Sequence, residues 1–220
     1  MAYKLRDVSE TDAYAALHQA IVTGAMSPGE RLVEEELADR LGESRGAIRA
    51  ALLRLEHDGL VIRERNRGAR VRRVTTDEAV EILEARAALE SLAAGYAALR
   101  RTDAEVQELR EIAADMERLQ AAGELLAMSE RNAALHRRIL DISRHAVARD
   151  ICARLRSQIV RFQFRTVLAP GRPEQSLAEH KAVVEAIAAG DRRKAEAAMR
   201  RHLHHVAKTL VAVAAGELAA

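Results

Sequence analysis

Residues 44–74 constrain the fold of this chain more than any other segment, because a helical and an alternating pattern meet there. Ser44 is suited to cap a helix, and Gly59 to end it about four turns later. Apolar residues recur between them at helical spacing: Ile48, Ala51, Leu52 and Leu55. From residue 60 onwards apolar and charged residues alternate around the sequence Arg-Asn-Arg-Gly, which predicts a β-hairpin.

Two further helices are predicted upstream of this segment. Residues 11–24 carry apolar positions at helical spacing, and residues 33–42 form a shorter helical pattern that closes at a glycine. Pro28 and Gly29 mark the turn between them. Three helices followed by a hairpin predict a winged helix-turn-helix DNA-binding domain that spans residues 1–74.

The remainder of the chain, residues 75–220, gives almost only helical signals. Alanine, leucine, arginine and glutamate abound while aromatic residues make up 2%, which favours helices with an aliphatic core. Capping boxes are expected at three helix starts: Thr75/Glu78, Thr102/Glu105 and Ser176/Glu179. Helices are predicted over residues 77–100, 103–121, 124–143, 146–168, 176–189 and 191–215. The expected fold class is mainly α, an N-terminal winged helix-turn-helix plus a C-terminal all-α antiparallel helical bundle.

Basic charge is concentrated at the end of the first domain. Residues 44–73 carry nine arginines against Glu56, Asp58 and Glu64, although the net charge of the chain is only +2. Such a local excess indicates polyanion binding, with a solvated arginine-rich surface as the alternative. The residues predicted to contact DNA are Ser44, Arg45, Gly46 and Arg49 at the helix start, and Arg65, Arg67 and Gly68 on the hairpin.

Arg45 and Arg49 are four residues apart and therefore share one helix face. Each guanidinium can form a forked pair with the N7 and O6 atoms of guanine. Gly46 allows a close approach of the backbone to phosphates, and the hairpin arginines can meet phosphates or enter the minor groove. The alternative is that Arg45 and Arg49 form ion pairs with the glutamates at 34–36.

Three histidines in the second domain indicate a metal site. His136, His180 and His202 each lie on an apolar face of a different predicted helix. Neutral imidazoles that converge from several helices of a bundle form transition-metal sites. The alternative for each ring is a hydrogen-bonded histidine of the core.

The sequence SPGERLVEEELADRLGESRGAIRAALLRLEHDGLV resembles the winged-helix domain of GntR-type bacterial transcription regulators, over residues 11–74. Glu43 stands where valine is usual, Gly46 and Ala47 replace a small residue and proline, and Ala50 replaces glutamate. None of these departures removes an arginine, so the resemblance implies DNA binding.

Residues 84–98, 132–136, 176–191 and 200–203 resemble the FCD domain, the effector-binding bundle of one branch of those regulators. The resemblance implies an aspartate and three histidines that hold Zn, Ni or Mn. The histidines match His136, His180 and His202, and the acidic position falls on Asn132. An amide oxygen is a poorer ligand than a carboxylate, so this site would keep a position open for the carboxylate of an organic-acid effector.

Four residues are expected to bind that effector: Arg86, Asn132, Arg161 and Arg165. Arg86 lies in the motif of the first bundle helix and is suited to clamp a carboxylate in a bidentate manner. The alternative is that these arginines are solvated and pair with carboxylates of neighbouring helices.

These features predict a dimeric, ligand-responsive transcription regulator, a repressor that binds an inverted-repeat operator. Cys152 is the only cysteine, and no signal peptide or membrane-spanning run is evident, which favours a cytoplasmic location and no membrane partner. A DNA-binding regulator with a structural metal is one alternative. A metal-dependent hydrolase, with Glu179 as base, is another, although no nucleophile triad or phosphate-binding loop occurs.

Overall fold

A computed structural model of the chain describes residues 10–64 and 68–217. The chain divides into two compact units, with the boundary between Val74 and Thr75. No helix within the described residues is both long enough and apolar enough to cross a membrane.

The first unit combines three helices with a small sheet. Its elements are α1 (Glu10–Thr23), β1 (Arg31–Leu32), α2 (Glu34–Leu41), α3 (Arg45–His57), β2 (Val61–Glu64) and β3 (Gly68–Val71). The three strands are antiparallel in the order β1-β3-β2, and Ile62 pairs with Arg70 across the β2–β3 hairpin. The predicted helices and hairpin are confirmed. The sequence did not predict β1, because two residues are too few to show an alternating pattern.

Local chemistry sets both ends of α3. The Ser44 hydroxyl accepts a hydrogen bond from the backbone N–H of Ala47 at 3.1 Å, as a helix cap does. Gly59 has a φ of 73°, a left-handed conformation that lets the chain turn out of the helix into β2. The predicted apolar face is buried: Ile48, Ala51, Leu52 and Leu55. This face packs into the core of the unit, and the opposite face is left in solvent.

The second unit is a bundle of seven helices in the described residues. They are α4 (Thr76–Arg100), α5 (Asp103–Ala121), α6 (Leu125–Ile142), α7 (Ala146–Gln158), α8 (Val160–Val167), α9 (Arg172–Ala188) and α10 (Arg192–Ala214). The predicted mainly-α fold is confirmed. Helix α4 contacts α6, α7, α9 and α10. Small residues on it are fully buried, which lets its neighbours approach closely: Ala93, Ala94, Ala97 and Ala98.

Two predicted features of the bundle are wrong. The fourth predicted helix is interrupted at Ile159, so that α7 and α8 replace one long helix. Helix α9 begins at Arg172, with Pro173 in its first turn, instead of at Ser176. Ser176 and Glu179 therefore lie inside a helix and form no capping box, and the Glu179 side chain is left for other contacts.

Candidate functional site

Three buried histidine rings meet inside the helical unit. His136 on α6, His180 on α9 and His202 on α10 are at most 3% exposed. The centroid of the His180 ring lies 4.1 Å from that of His202 and 5.1 Å from that of His136. One nitrogen of each ring lies within 4.8 Å of the chosen nitrogens of the other two. This is the spacing of a set of metal ligands, and we call these rings the histidine cluster.

Two carboxylates form hydrogen bonds with the Nδ1 atoms of two rings in the histidine cluster. Oε2 of Glu90 lies 2.5 Å from Nδ1 of His136, and Oε2 of Glu179 lies 2.7 Å from Nδ1 of His202. Because an ionised carboxylate accepts, each Nδ1 carries the proton and each Nε2 keeps its lone pair. A metal-bound histidine commonly has such a carboxylate partner, which fixes the orientation of the ring.

Burial keeps the imidazoles of the cluster neutral. It lowers the pKa of His136 to about 4, against the opposite effect of the Glu90 carboxylate. Burial is also the main reason that the pKa values of His180 and His202 are lowered. Burial alone would raise the pKa of Glu179, but hydrogen bonds from two histidine rings and the charge of Arg172 together outweigh it and lower that pKa to about 2. Neutral imidazoles beside ionised carboxylates are in the protonation state that metal binding requires.

Sequence reasoning missed the role of both carboxylates. Glu179 was expected to cap a helix or to act as a base, whereas its carboxylate contacts His202 at 2.7 Å and Arg172 at 3.0 Å. Glu90 is 1% exposed and follows Arg86 by four residues, the spacing at which helix side chains form ion pairs. That spacing was the available signal for Glu90.

A cavity adjoins the histidine cluster, and Asn132, His136 and His202 are among the residues that line it. Asn132 lies one helical turn before His136 on α6. Its Oδ1 atom is buried and has no hydrogen-bond partner among the described residues. A buried acceptor without a partner, on a residue that lines the same cavity as two of these rings, fits a weak ligand to a metal or a position that holds a water molecule.

Of the three arginines predicted to bind the effector, the structure describes the side chain of Arg86. Arg86 lines the cavity and is 2% exposed. Its Nε and Nη2 atoms lie 2.8 Å from Oε1 of Glu90, and Nη1 has no partner among the described residues. Nη1 is therefore the nitrogen of this guanidinium with donors left for a ligand. The side chains of Arg161 and Arg165 lie outside the described residues. Arg156 was not predicted, yet it lines the same cavity.

The start of α3 presents the predicted DNA-contacting residues in an exposed position. Arg45 forms an ion pair with Glu35, and Arg49 forms one with Glu34 at 2.8 Å. The alternative prediction that these arginines pair with glutamates of the preceding helix is thus confirmed. A Cβ atom added to Gly46 would meet the Ser44 hydroxyl at 3.8 Å and, beyond its own helix backbone and chain neighbours, no closer atom of the described residues.

The hairpin adds one described position to this surface. Gly68 begins β3 with a φ of 83°, a conformation that favours glycine. Arg63 lies near the end of β2 and is exposed. Arg65 and Arg67, which the sequence predicts to contact DNA, lie outside the described residues.

Two family models match the chain. Residues 10–71 match the family described as bacterial regulatory proteins, gntR family, and residues 81–205 match the FCD domain. The chain belongs to the GntR family. Both predicted resemblances are confirmed, with the FCD domain in the helical unit. GntR-family proteins are DNA-binding transcription regulators, so the chain is a regulator and not an enzyme.

Similar GntR-family proteins cover the chain almost end to end. The HTH-type transcriptional repressor GlaR of Escherichia coli is 28% identical over 204 residues, which are 89% of this chain and 93% of that protein. The HTH-type transcriptional regulator LutR of Bacillus subtilis is 27% identical over 211 residues, 86% of this chain and 95% of LutR. Among solved structures, E. coli McbR/YncC superimposes with a TM-score of 0.79 at 21% identity, over 93% of this chain and 98% of that one.

Proposed function

We propose that this GntR-family chain is a ligand-responsive repressor, which releases its operator when a small organic acid binds in the helical unit. The observation that carries the proposal is the cluster of His136, His180 and His202 beside a cavity in the FCD domain. The similarity to GlaR, which is named a repressor, supports the direction of control.

The histidine cluster suits a divalent transition metal, either Zn, Ni or Mn. The three Nε2 atoms would hold the ion, and Oδ1 of Asn132 or a water molecule would add a further ligand. When bound, the metal supplies a Lewis-acid centre that attracts a carboxylate. Glu90 and Glu179 keep the protons on the two Nδ1 atoms that they contact, so the lone pairs of the Nε2 atoms remain available.

Two copies of the chain read an inverted repeat as a homodimer, because the two-fold symmetry of the protein is mirrored in the operator. Arg45 and Arg49 exchange their glutamate partners for guanine edges, and the hairpin contacts the backbone. The bound acid biases the spacing of the two DNA-binding units. Such allosteric couplings are typically about 1–3 kcal/mol, which changes operator affinity by about five- to 150-fold.

Operator affinity, measured with and without zinc and a panel of carboxylic acids, tests this function. The probe is DNA from upstream of the gene for this chain, and fluorescence anisotropy at one salt concentration gives the affinity. An effector acid should raise the melting temperature by mass action and weaken operator binding. If zinc stabilises the protein but no acid changes operator affinity, the metal is structural, a role that the full burial of the three rings also suits.

A further inference from the structure

Three guanidinium groups line the cavity beside the histidine cluster. They belong to Arg86, Arg156 and Arg172, which are 2%, 12% and 4% exposed in their side chains. Arginines buried to this degree are rare unless their charge is paired, because an unpaired buried charge loses its hydration without compensation.

The carboxylates within reach do not balance these charges. Glu90 lies 2.8 Å from Arg86 and 3.9 Å from Arg156, so that it is shared between two guanidinium groups. Glu179 is the partner of Arg172 at 3.0 Å. The histidines are neutral and the Asn132 amide carries no charge. The described groups around the cavity therefore have one positive charge in excess, and a divalent metal would add two more.

Two of these arginines have hydrogen-bond donors to spare. Nη1 of Arg86 and Nη2 of Arg156 are buried and have no hydrogen-bond partner among the described residues. Nη1 of Arg156 donates to the backbone oxygen of Ala133 at 2.9 Å, which holds its guanidinium in place. Burial and the neighbouring charge of Arg86 lower the pKa of Arg156 to about 10, so it remains charged at neutral pH. Two cations with free donors in one cavity form a receptor for an anionic group.

This receptor and the metal position are two separate places. Glu90 contacts Arg86 through Oε1 and His136 through Oε2, so its carboxylate lies between them. Glu90 contacts the His136 ring at Nδ1, and the Nε2 atom on the other side of that ring faces His180. The arginine pair and the Nε2 atoms can therefore each receive an anionic group of their own.

We infer that the cavity takes an organic anion with at least two carboxylates, one held by Arg86 and Arg156 and another directed to the histidine cluster. This inference rests on the proposed function, since it names the class of effector that the same cavity binds. The first carboxylate occupies the free donors of the arginine pair, and the second offsets the charge of the metal. Acids with a single carboxylate leave one of these positions unfilled.

Isothermal titration calorimetry of the full chain, with one equivalent of zinc, tests this inference. The ligands are propionate, succinate and tricarballylate, which differ in the number of carboxylates and bind zinc weakly in solution. Succinate or tricarballylate should bind at least about tenfold more tightly than propionate, because a charge-assisted hydrogen bond contributes that much. Equal affinity of propionate and both larger acids would overturn the inference.

The variant Arg156→Gln removes one charge of the arginine pair and keeps a side-chain donor near Ala133. The ratio of its affinity for succinate or tricarballylate to its affinity for propionate should fall towards one. The control variant Arg110→Gln, a change at an exposed ion pair with Glu185, should keep the wild-type ratio. Ligand-free melting curves establish that both variants fold. A preference unchanged in Arg156→Gln contradicts the inference.

Ligand binding and operator release are measured separately, so that either one can be absent while the other is present. If the acids bind with the expected preference but operator affinity stays constant, the effector class stands and the regulatory role fails. If a monocarboxylate binds best and releases the operator, the regulatory role stands and this inference fails. If no acid binds, both fail.

Discussion

Nε2 of His136 and Nε2 of His180 lie 3.0 Å apart and face each other inside the helical unit. This is a hydrogen-bond distance, so one of the two atoms carries the proton. His136 already donates from Nδ1 to Glu90, so the proton belongs to His180, whose Nδ1 accepts from Ser176 at 3.3 Å. The serine hydroxyl can also accept a hydrogen bond from a protonated Nδ1. His180 can therefore change tautomer and offer its Nε2 lone pair to a metal while it keeps the contact with Ser176.

Replacing a ring of the histidine cluster should lower metal content. His202→Ala removes one of three nitrogen ligands, so the variant should retain well under one zinc ion per chain after dialysis, by elemental analysis. The matched control is His205→Ala, because His205 also contacts Glu179, at 2.6 Å, but lies outside the cluster. The control should keep the wild-type zinc content. Full occupancy in both His202→Ala and His136→Ala would remove the proposed site.

The substitution Asn132→Asp should tighten metal binding. A carboxylate adds a negative charge where the structure has a buried amide oxygen without a partner among the described residues. We expect zinc affinity to rise by roughly tenfold or more in competition with a chromogenic chelator, which is the scale of changes around metal ligands. Asn132→Ala is the control and should not tighten binding. An unchanged affinity in Asn132→Asp would place residue 132 outside the coordination sphere.

Local sequence patterns predict the helices and the hairpin of this structure. The features that were not predicted depend on contacts between residues far apart in the chain. Ser44 and Gly59 act on their own helix, so the bounds of α3 follow from a few neighbouring residues. The contact between Glu90 and His136 joins residues 46 positions apart, and no local spacing reveals it. Arg156 resembles an ordinary arginine of an amphipathic helix until the fold brings it to the cavity.

Removing Arg49 should weaken specific DNA binding without unfolding the protein. The Arg49 side chain is 60% exposed, so its loss leaves no cavity in the core, but it removes a predicted contact to a base edge. Operator affinity of Arg49→Ala, by fluorescence anisotropy, should fall about tenfold or more. Arg200→Ala, an exposed change in the helical unit, should bind as the wild type does. Unchanged operator affinity in Arg49→Ala would refute the assignment of α3 as the recognition helix.

Glu34 should limit binding to DNA of unrelated sequence. Its carboxylate lies 2.8 Å from Arg49, and the hydrogen bond from that guanidinium is the main reason that the pKa of Glu34 is lowered. Glu34→Gln frees the arginine and removes a charge that repels phosphates, so affinity for non-operator DNA should rise roughly two- to fivefold, the scale of an exposed ion pair. Glu56→Gln, elsewhere on the same unit, is the control for net charge. Equal gains in both variants would show that overall charge, and not the release of Arg49, is responsible.

The contact between Tyr14 and Asp58 should make the first unit sensitive to alkaline pH. The tyrosine hydroxyl donates to the Asp58 carboxylate at 2.7 Å, and burial followed by this hydrogen bond raises the pKa of Tyr14 from 10.0 to about 12. A raised pKa means that the folded state favours the protonated phenol. The contribution to stability is therefore complete below pH 10 and is lost as the pH rises towards 12. The melting temperature of the wild type should exceed that of Tyr14→Phe at pH 9, and the difference should shrink between pH 10 and 12. A difference that stays constant over this range would show that the phenol proton is not what the contact stabilises.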